Sequence, residues 1–193
     1  MHRPGMMMQL IQPIERHNLG SEGSLSLPED FREWVPEDVL ICLTLEAIHN
    51  VAERHPYPAP CPRSQTGASS QLLCTLLTYS YAIGLLATRD IQLQSASDKI
   101  LSYLCRKDAP DSSALRTFRR THPQKLSLCL ATLFELAAHW RAANSQAASG
   151  RYSQPTSTPH RQITTNALDP AFLEEAQARV KRAIQADSMD LDD

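Results

Sequence analysis

The chain has 193 residues, 42% of them hydrophobic and 21% charged, with a formal net charge of -2, which is the composition of one ordinary globular domain with tails. No stretch approaches the ~20 consecutive apolar residues of a membrane span, and Met1–Leu10 lacks the apolar centre of a secretory leader. A cytoplasmic protein with no membrane contact is therefore expected, and a set of 19 basic and 21 acidic residues excludes the strongly basic class of nucleic-acid binders.

What matters for phosphate contact is local clustering. The acids gather at Pro28–Asp38 and in the tail Asp187–Asp193, whereas Arg106–Lys125 is basic. The five cysteines, Cys42, Cys61, Cys74, Cys105 and Cys129, are odd in number and contain no Cys-x-x-Cys. Cys42, Cys74 and Cys129 fall in apolar helical runs, where a free thiol behaves as a small hydrophobe, and a reducing compartment fits this usage.

In chain order, residues 1–30 are polar, with scattered prolines and glycines, and read as a flexible arm. Residues 31–143 read as the folded domain. Pro36 suits the first position of a helix, and Glu37 and Asp38 suit the positive end of its dipole. This helix is predicted over about 36–53, with Leu40, Leu43, Ala47, Ile48 and Val51 at three- and four-residue steps on its buried face. The run His55-Pro-Tyr-Pro-Ala-Pro-Cys-Pro62 cannot continue it.

A second helix starts at Ser69 or Ser70, either of which can cap it. Leu72, Leu73, Leu76, Leu77, Tyr79, Ile83 and Leu86 make it apolar on most sides, which suits the centre of a bundle. Gly84 is a weak point, and Thr88 is a candidate cap for a short third helix, 88–94. A fourth is expected over 97–105, with Ile100, Leu101 and Leu104 inward. Asp111 caps a fifth helix, anchored by Leu115 and Phe118.

Thr121-His-Pro123 breaks the chain and restarts it into a sixth helix reaching about Ala143, with Leu126, Leu130, Leu133, Phe134 and Ala137 on the buried stripe. Residues 144–166 turn to Ser, Thr, Gln, Pro and Gly and read as a linker. Residues 167–193 carry the last helix and an acidic tail. Asp169 caps this helix, Pro170 opens it, and Leu168 can staple onto Leu173. Its apolar stripe, Leu173, Ala176, Val180 and Ile184, is thin, and Glu175 and Arg179 stand four apart. It can fold back or bind a partner. No period-two alternation occurs, so the fold class is all-α: a compact helical bundle, a linker and one C-terminal helix.

The segment with chemistry is 111–122. At about 100° per residue Arg116 and Arg120 share a helix face and Arg119 lies beside them. With Leu115 and Phe118 turned to the core, the three arginines form a basic strip of planar donors suited to guanine edges or phosphates. Ser112 and Ser113 stand in the first turn, where free N–H groups favour phosphate. The competing reading is a solvated face paired with Asp108 or Asp111. The short helices before it, and the turn Lys107-Asp-Ala-Pro110, give the layout of a helix-turn-helix.

Four runs carry a family resemblance. Leu72-Leu-Cys-Thr-Leu-Leu-Thr-Tyr-Ser-Tyr-Ala-Ile-Gly84 resembles the LL-x-x-LLY-x-Y-x-x-G helix in the InsH-type N-terminal domain of bacterial insertion-sequence DDE transposases. Ala87-Thr-Arg-Asp-Ile-Gln92 is similar to that family's Ser-Ser-Arg-x-Ile/Leu-Glu element, with Gln92 in place of the glutamate. Pro110-Asp-Ser-Ser-Ala-Leu-Arg-Thr-Phe-Arg-Arg120 is similar to its Pro-Asp-x-x-Thr-Ile-x-x-Phe-Arg-Arg, with Ala114 in place of the threonine. Trp34-Val-Pro-Glu-Asp38 is similar to its opening. The resemblance covers about residues 31–140.

The resemblance implies a module that binds double-stranded DNA, with Arg116, Arg119 and Arg120 as its centre and Arg89, Lys107 and Lys125 on phosphates. In the family a ribonuclease-H-like domain with a metal triad follows, and nothing after Ala143 resembles its opening strand. Two-metal chemistry needs carboxylates converging from a rigid sheet. The expectation is thus a truncated or repurposed transposase that is not an enzyme and takes no cofactor. The alternative is an interaction or dimerisation scaffold, with a second copy or a full-length transposase as partner. His49, His55 and Cys61 fit no zinc spacing, and Tyr79 and Tyr81 are better read as packing than as nucleophiles.

Overall fold

A computed structural model describes residues 27–56, 69–105, 110–148 and 168–189. Every regular element among them is helical, and none is a strand. Residues 1–26 of the expected arm 1–30, the prolines from Pro58 to Pro62, most of the linker and residues 190–193 of the tail lie outside these residues. Residues 27–30 fall within the expected arm, and there Asp30 accepts from the Arg32 N–H at 2.9 Å and starts a single 3-10 turn, Phe31–Glu33. This turn buries Phe31, which lies nearly parallel to Phe134 with ring centroids 4.5 Å apart.

Helix α1 spans Glu37–Arg54, so Pro36 stands just before it rather than within it. Its buried face is Leu40, Thr44, Ala47, Ile48 and Val51. Leu43, expected inside, is half-buried, and Thr44 takes the core position because its hydroxyl donates to the Leu40 carbonyl at 2.8 Å. A hydroxyl satisfied by its own helix removes the main cost of burial. Cys42 is exposed on this helix, contrary to the apolar reading.

Helix α2, Ser70–Ala82, is capped by Ser69, whose hydroxyl accepts from the Leu72 N–H at 3.1 Å. All ten residues from Leu73 to Ala82 are buried, as expected for a central helix. Gly84 is what ends it. At φ 81° it adopts the left-handed conformation, Leu85 N–H reaches back to the Ser80 carbonyl at 2.9 Å, and Gly84 N–H reaches that of Tyr81.

Three short helices follow: α3 over Thr88–Ser95, α4 over Lys99–Cys105 and α5 over Ser112–Thr121. Thr88 is the first residue of α3 and not its cap. Helix α4 begins at Lys99 and not at residue 97, because Asp98 holds its start, accepting from the Ile100 and Leu101 N–H groups. Asp111 caps α5 as expected, accepting from Ala114 at 2.6 Å.

Helix α6, Pro123–Ala148, is the spine of the bundle and packs on α1, α2 and α7. It extends past Ala143, so residues 144–148 belong to a helix and not to the linker. Among the residues of its middle section, Leu126 to Ala137, most are buried. The thiols of Cys74 and Cys129 meet at 3.7 Å where α2 crosses it.

Helix α7, Pro170–Met189, folds back on α6 and α5. Asp169 caps it, accepting from the Ala171 N–H at 2.9 Å. Its buried stripe is Phe172, Ala176, Val180, Ala183 and Asp187, with Arg179 alongside; Leu173 and Ile184 are half-buried. The stripe thus sits slightly rotated from the expected one, and two charged residues end up inside.

Candidate nucleic-acid interface

Helix α5 is held in place by Leu115 and Phe118, which are buried as expected. Its three arginines do not form one outward strip. Arg120 is exposed at the last turn, Arg116 retains 26% side-chain exposure, and Arg119 is fully buried. The placement of Arg119 corrects the sequence reading. At about 100° per residue it stands only about 40° from Leu115, closer than to Arg116 or Arg120. When Leu115 enters the core, Arg119 enters with it.

The Arg119 guanidinium sits in a cage of acceptors. Its Nη1 donates to the Leu86 carbonyl at 3.0 Å and to the Ala183 carbonyl of α7 at 2.8 Å, and lies 3.1 Å from Asp187 Oδ2. Its Nη2 donates to Thr88 Oγ1 at 2.9 Å. The Tyr81 ring lies alongside, 5.6 Å from the guanidinium carbon, and burial holds the Tyr81 phenol protonated well above its ordinary range.

Asp187 completes the cage. Its Oδ1 accepts from the Thr88 backbone N–H at 3.0 Å and its Oδ2 from the Thr88 hydroxyl at 3.0 Å, so the carboxylate of α7 caps α3 from outside. Arg116 Nε approaches the same Oδ2 at 3.8 Å, beyond hydrogen-bond length. Arg116 Nε and Arg119 Nε are buried and without hydrogen-bond partners among the described residues. The cluster is therefore one carboxylate against two guanidiniums and a helix start.

The remaining candidates divide. Arg89 is exposed on α3, next to exposed Asp90, and Ser113 is exposed in the first turn of α5. Ser112 is half-buried and its hydroxyl donates to Gln92 Oε1 at 2.8 Å, which ties α5 to α3. The Asp111 carboxylate already occupies the N-terminal N–H of Ala114, so the expected phosphate site on the first turn carries a negative charge instead. Lys125 is half-buried, and its ammonium donates to the His55 carbonyl at 2.6 Å beyond the end of α1, away from a solvent-facing phosphate role. Lys107 lies outside the described residues.

A second buried guanidinium, that of Arg179 on α7, was foreseen only as a helical ion pair. It does pair with Glu175 at 2.8 Å. It also donates to the carbonyls of Pro28, Glu29 and Tyr81 and lies over the rings of Phe134 and Phe31, at 5.0 and 5.5 Å. Neither Asp187 nor Arg179 was singled out as buried from sequence. The available signal was spacing: Asp187 continues the Val180–Ala183 stripe at a further four residues, which places it inside.

Among the described residues no group of three or more His, Cys, Asp or Glu could hold a metal ion, and no helix is long and apolar enough to cross a membrane. His49 forms a four-residue-spaced pair with Glu53 at 3.2 Å. Tyr79 and Tyr81 are packed in the core. In comparisons with known proteins, no family model, no curated protein and no solved structure matches the chain.

Proposed function

We propose that the chain is a non-catalytic module of insertion-sequence transposase type that binds double-stranded DNA through the outward side of α5 and the adjoining start of α3. The α4–turn–α5 order supplies a helix-turn-helix-like element in this reading, and the residues in contact are Arg120, Ser113, the exposed edge of Arg116, and Arg89. The observation that carries it is the anchoring of α5. Leu115, Phe118 and Arg119 fix one side of the helix, so Ser113, Thr117 and Arg120 are presented together on a rigid exposed face. In this reading the protein acts in the cytoplasm, where its part is recognition of duplex DNA.

The test is a mobility-shift titration over a salt series. Binding should weaken steeply between about 50 and 200 mM salt, and removing each phosphate-contacting arginine should flatten the log–log slope by about one. Arg89→Ala with Arg120→Ala should weaken binding on every duplex while the helical signal is kept. Unchanged binding by that double variant would remove this surface from consideration.

A second reading rests on a different observation. Leu93 on α3 and Tyr103 on α4, two helices packed on each other, are 65% and 66% exposed. Exposed apolar side chains on adjoining helices suit a protein partner, a second copy or a full-length transposase. Light scattering with and without duplex separates the two: a stable oligomer indifferent to DNA favours the scaffold.

A further inference from the structure

The Asp187 cluster has the composition of an oxyanion site. A backbone N–H at the start of a helix, a threonine hydroxyl and two guanidiniums converge on one carboxylate, within 3.0–3.1 Å for three of the four groups. The fourth, Arg116 Nε, stands off at 3.8 Å. Two buried donors, Arg116 Nε and Arg119 Nε, find no acceptor among the described residues. A carboxylate brings two oxygens and one negative charge to a site whose guanidiniums carry two positive charges. Buried donors without acceptors are rare in folded proteins and mark a site not fully matched by its occupant. A phosphate, with more oxygens in a tetrahedral array, satisfies this donor set better, and arginines with a helix N-terminus are the usual protein partners of phosphate.

The occupant is carried by the end of a helix. Asp187 lies in the last turn and a half of α7, past Ala183, and terminal helical turns open locally at a fraction of the global unfolding free energy. The rest of α7 stays held by Phe172, Ala176, Val180 and the Arg179 contacts. When the final turns lift, the Thr88 N–H and hydroxyl and the Arg116 and Arg119 guanidiniums lose the Asp187 carboxylate, while the Leu86 carbonyl and Thr88 keep the Arg119 guanidinium in place.

We propose that Thr88, Arg116 and Arg119 form a cradle for a backbone phosphate of duplex DNA, and that the end of α7 inhibits DNA binding by filling this cradle with the Asp187 carboxylate. The proposal rests on the DNA-binding reading above and adds its regulation. Phosphate and Asp187 exclude one another, so DNA binding and docking of the α7 end are negatively coupled, each weakening the other by the same factor.

The test uses the full chain and a short fluorescent duplex of random sequence, followed by anisotropy at low salt. Asp187→Asn keeps the shape of the side chain and removes its charge. It should bind the duplex about tenfold more tightly than the unmodified chain. Adding Arg116→Ala to Asp187→Asn should abolish that gain. If Arg89→Ala with Arg120→Ala weakens binding while Asp187→Asn leaves it unchanged, the DNA reading stands and the inhibitory role of α7 is refuted. If neither the unmodified chain nor Asp187→Asn binds duplex, both fall.

Hydrogen exchange on the unmodified chain gives a second readout that needs no substitution. Saturating duplex should speed exchange of the Ala183–Met189 amides about tenfold while those of Phe172–Val180 stay protected. Equal protection with and without duplex overturns the proposal even where Asp187→Asn fails to fold.

Discussion

Arg119→Met separates a core role from a surface role for the middle arginine of α5. Methionine keeps the aliphatic stem and removes the guanidinium. The Leu86 and Ala183 carbonyls and Thr88 Oγ1 then lose a donor, and the Asp187 carboxylate is left buried without its nearest countercharge. Breaking one half of a buried, hydrogen-bonded ion pair costs about 3–5 kcal/mol. At about 2–4 °C per kcal/mol for a protein of this size, the melting temperature should fall by about 6–20 °C. Arg120→Met, on the exposed end of the same helix, should change stability by no more than about 0.5 kcal/mol. Urea unfolding followed by far-ultraviolet circular dichroism measures both.

Removing the two charges together sharpens the test. Arg119→Met with Asp187→Leu deletes the ion pair and so removes the unpaired buried charge, leaving the neutral losses: the uncapped Thr88 N–H and the hydrogen bonds of the Thr88 hydroxyl and of the Leu86 and Ala183 carbonyls, about 1 kcal/mol each. The pair should therefore be less destabilised than Arg119→Met alone, giving a coupling of about 2 kcal/mol or more. A loss below about 1 kcal/mol for Arg119→Met, matching Arg120→Met, would refute the buried network.

Three further outcomes follow from the packing. Gly84→Ala should destabilise by about 1–2 kcal/mol, measured by urea unfolding, because φ 81° penalises any Cβ and the new methyl would stand 3.4 Å from the Glu29 carbonyl oxygen. Maleimide labelling of the native protein, read by peptide mass mapping, should modify Cys42 rapidly and spare Cys74, Cys105 and Cys129, which are buried. For Cys105, burial also raises the thiol above its ordinary range. The His122 imidazole is held below its ordinary value of 6.5, first by burial and then by the nearby Lys125 charge, so the folded protein disfavours its protonated form. Its contribution is present above pH 6.5 and is lost as pH falls through the lowered folded value; His122→Gln should flatten that part of a melting-temperature profile.

The helices themselves were readable because their punctuation is local. Ser69, Asp111 and Asp169 each cap a helix within three residues, and apolar spacing located most of the core of α1, α2 and α6. Thr44 was missed because a hydroxyl counts as polar in a periodicity argument, although it is satisfied by Leu40 of its own helix. The site was less legible. A cluster of arginines looks solvent-facing when counted by charge, and the residues that make Arg119 a core group, Leu86, Ala183 and Asp187, are distant in sequence. A tail rich in acids likewise hides the one aspartate that continues an apolar stripe. The angular position of Arg119 beside Leu115 was available all along, and it outweighs the charge pattern.

The Arg179 contacts have a consequence for synthesis on the ribosome. The Pro28 and Glu29 carbonyls accept from a guanidinium about 150 positions later in the chain. At about 5–20 residues per second, that partner emerges roughly 8–30 s after them. Through that interval Phe31 and the end of α2 wait with their last wall missing, and even after Phe134 emerges to stack on Phe31 about 45 residues remain, roughly 2–9 s, a window in which a chaperone can hold the nascent chain. Closure of this bundle is thus a late event, timed by translation as much as by the intrinsic speed of helix formation.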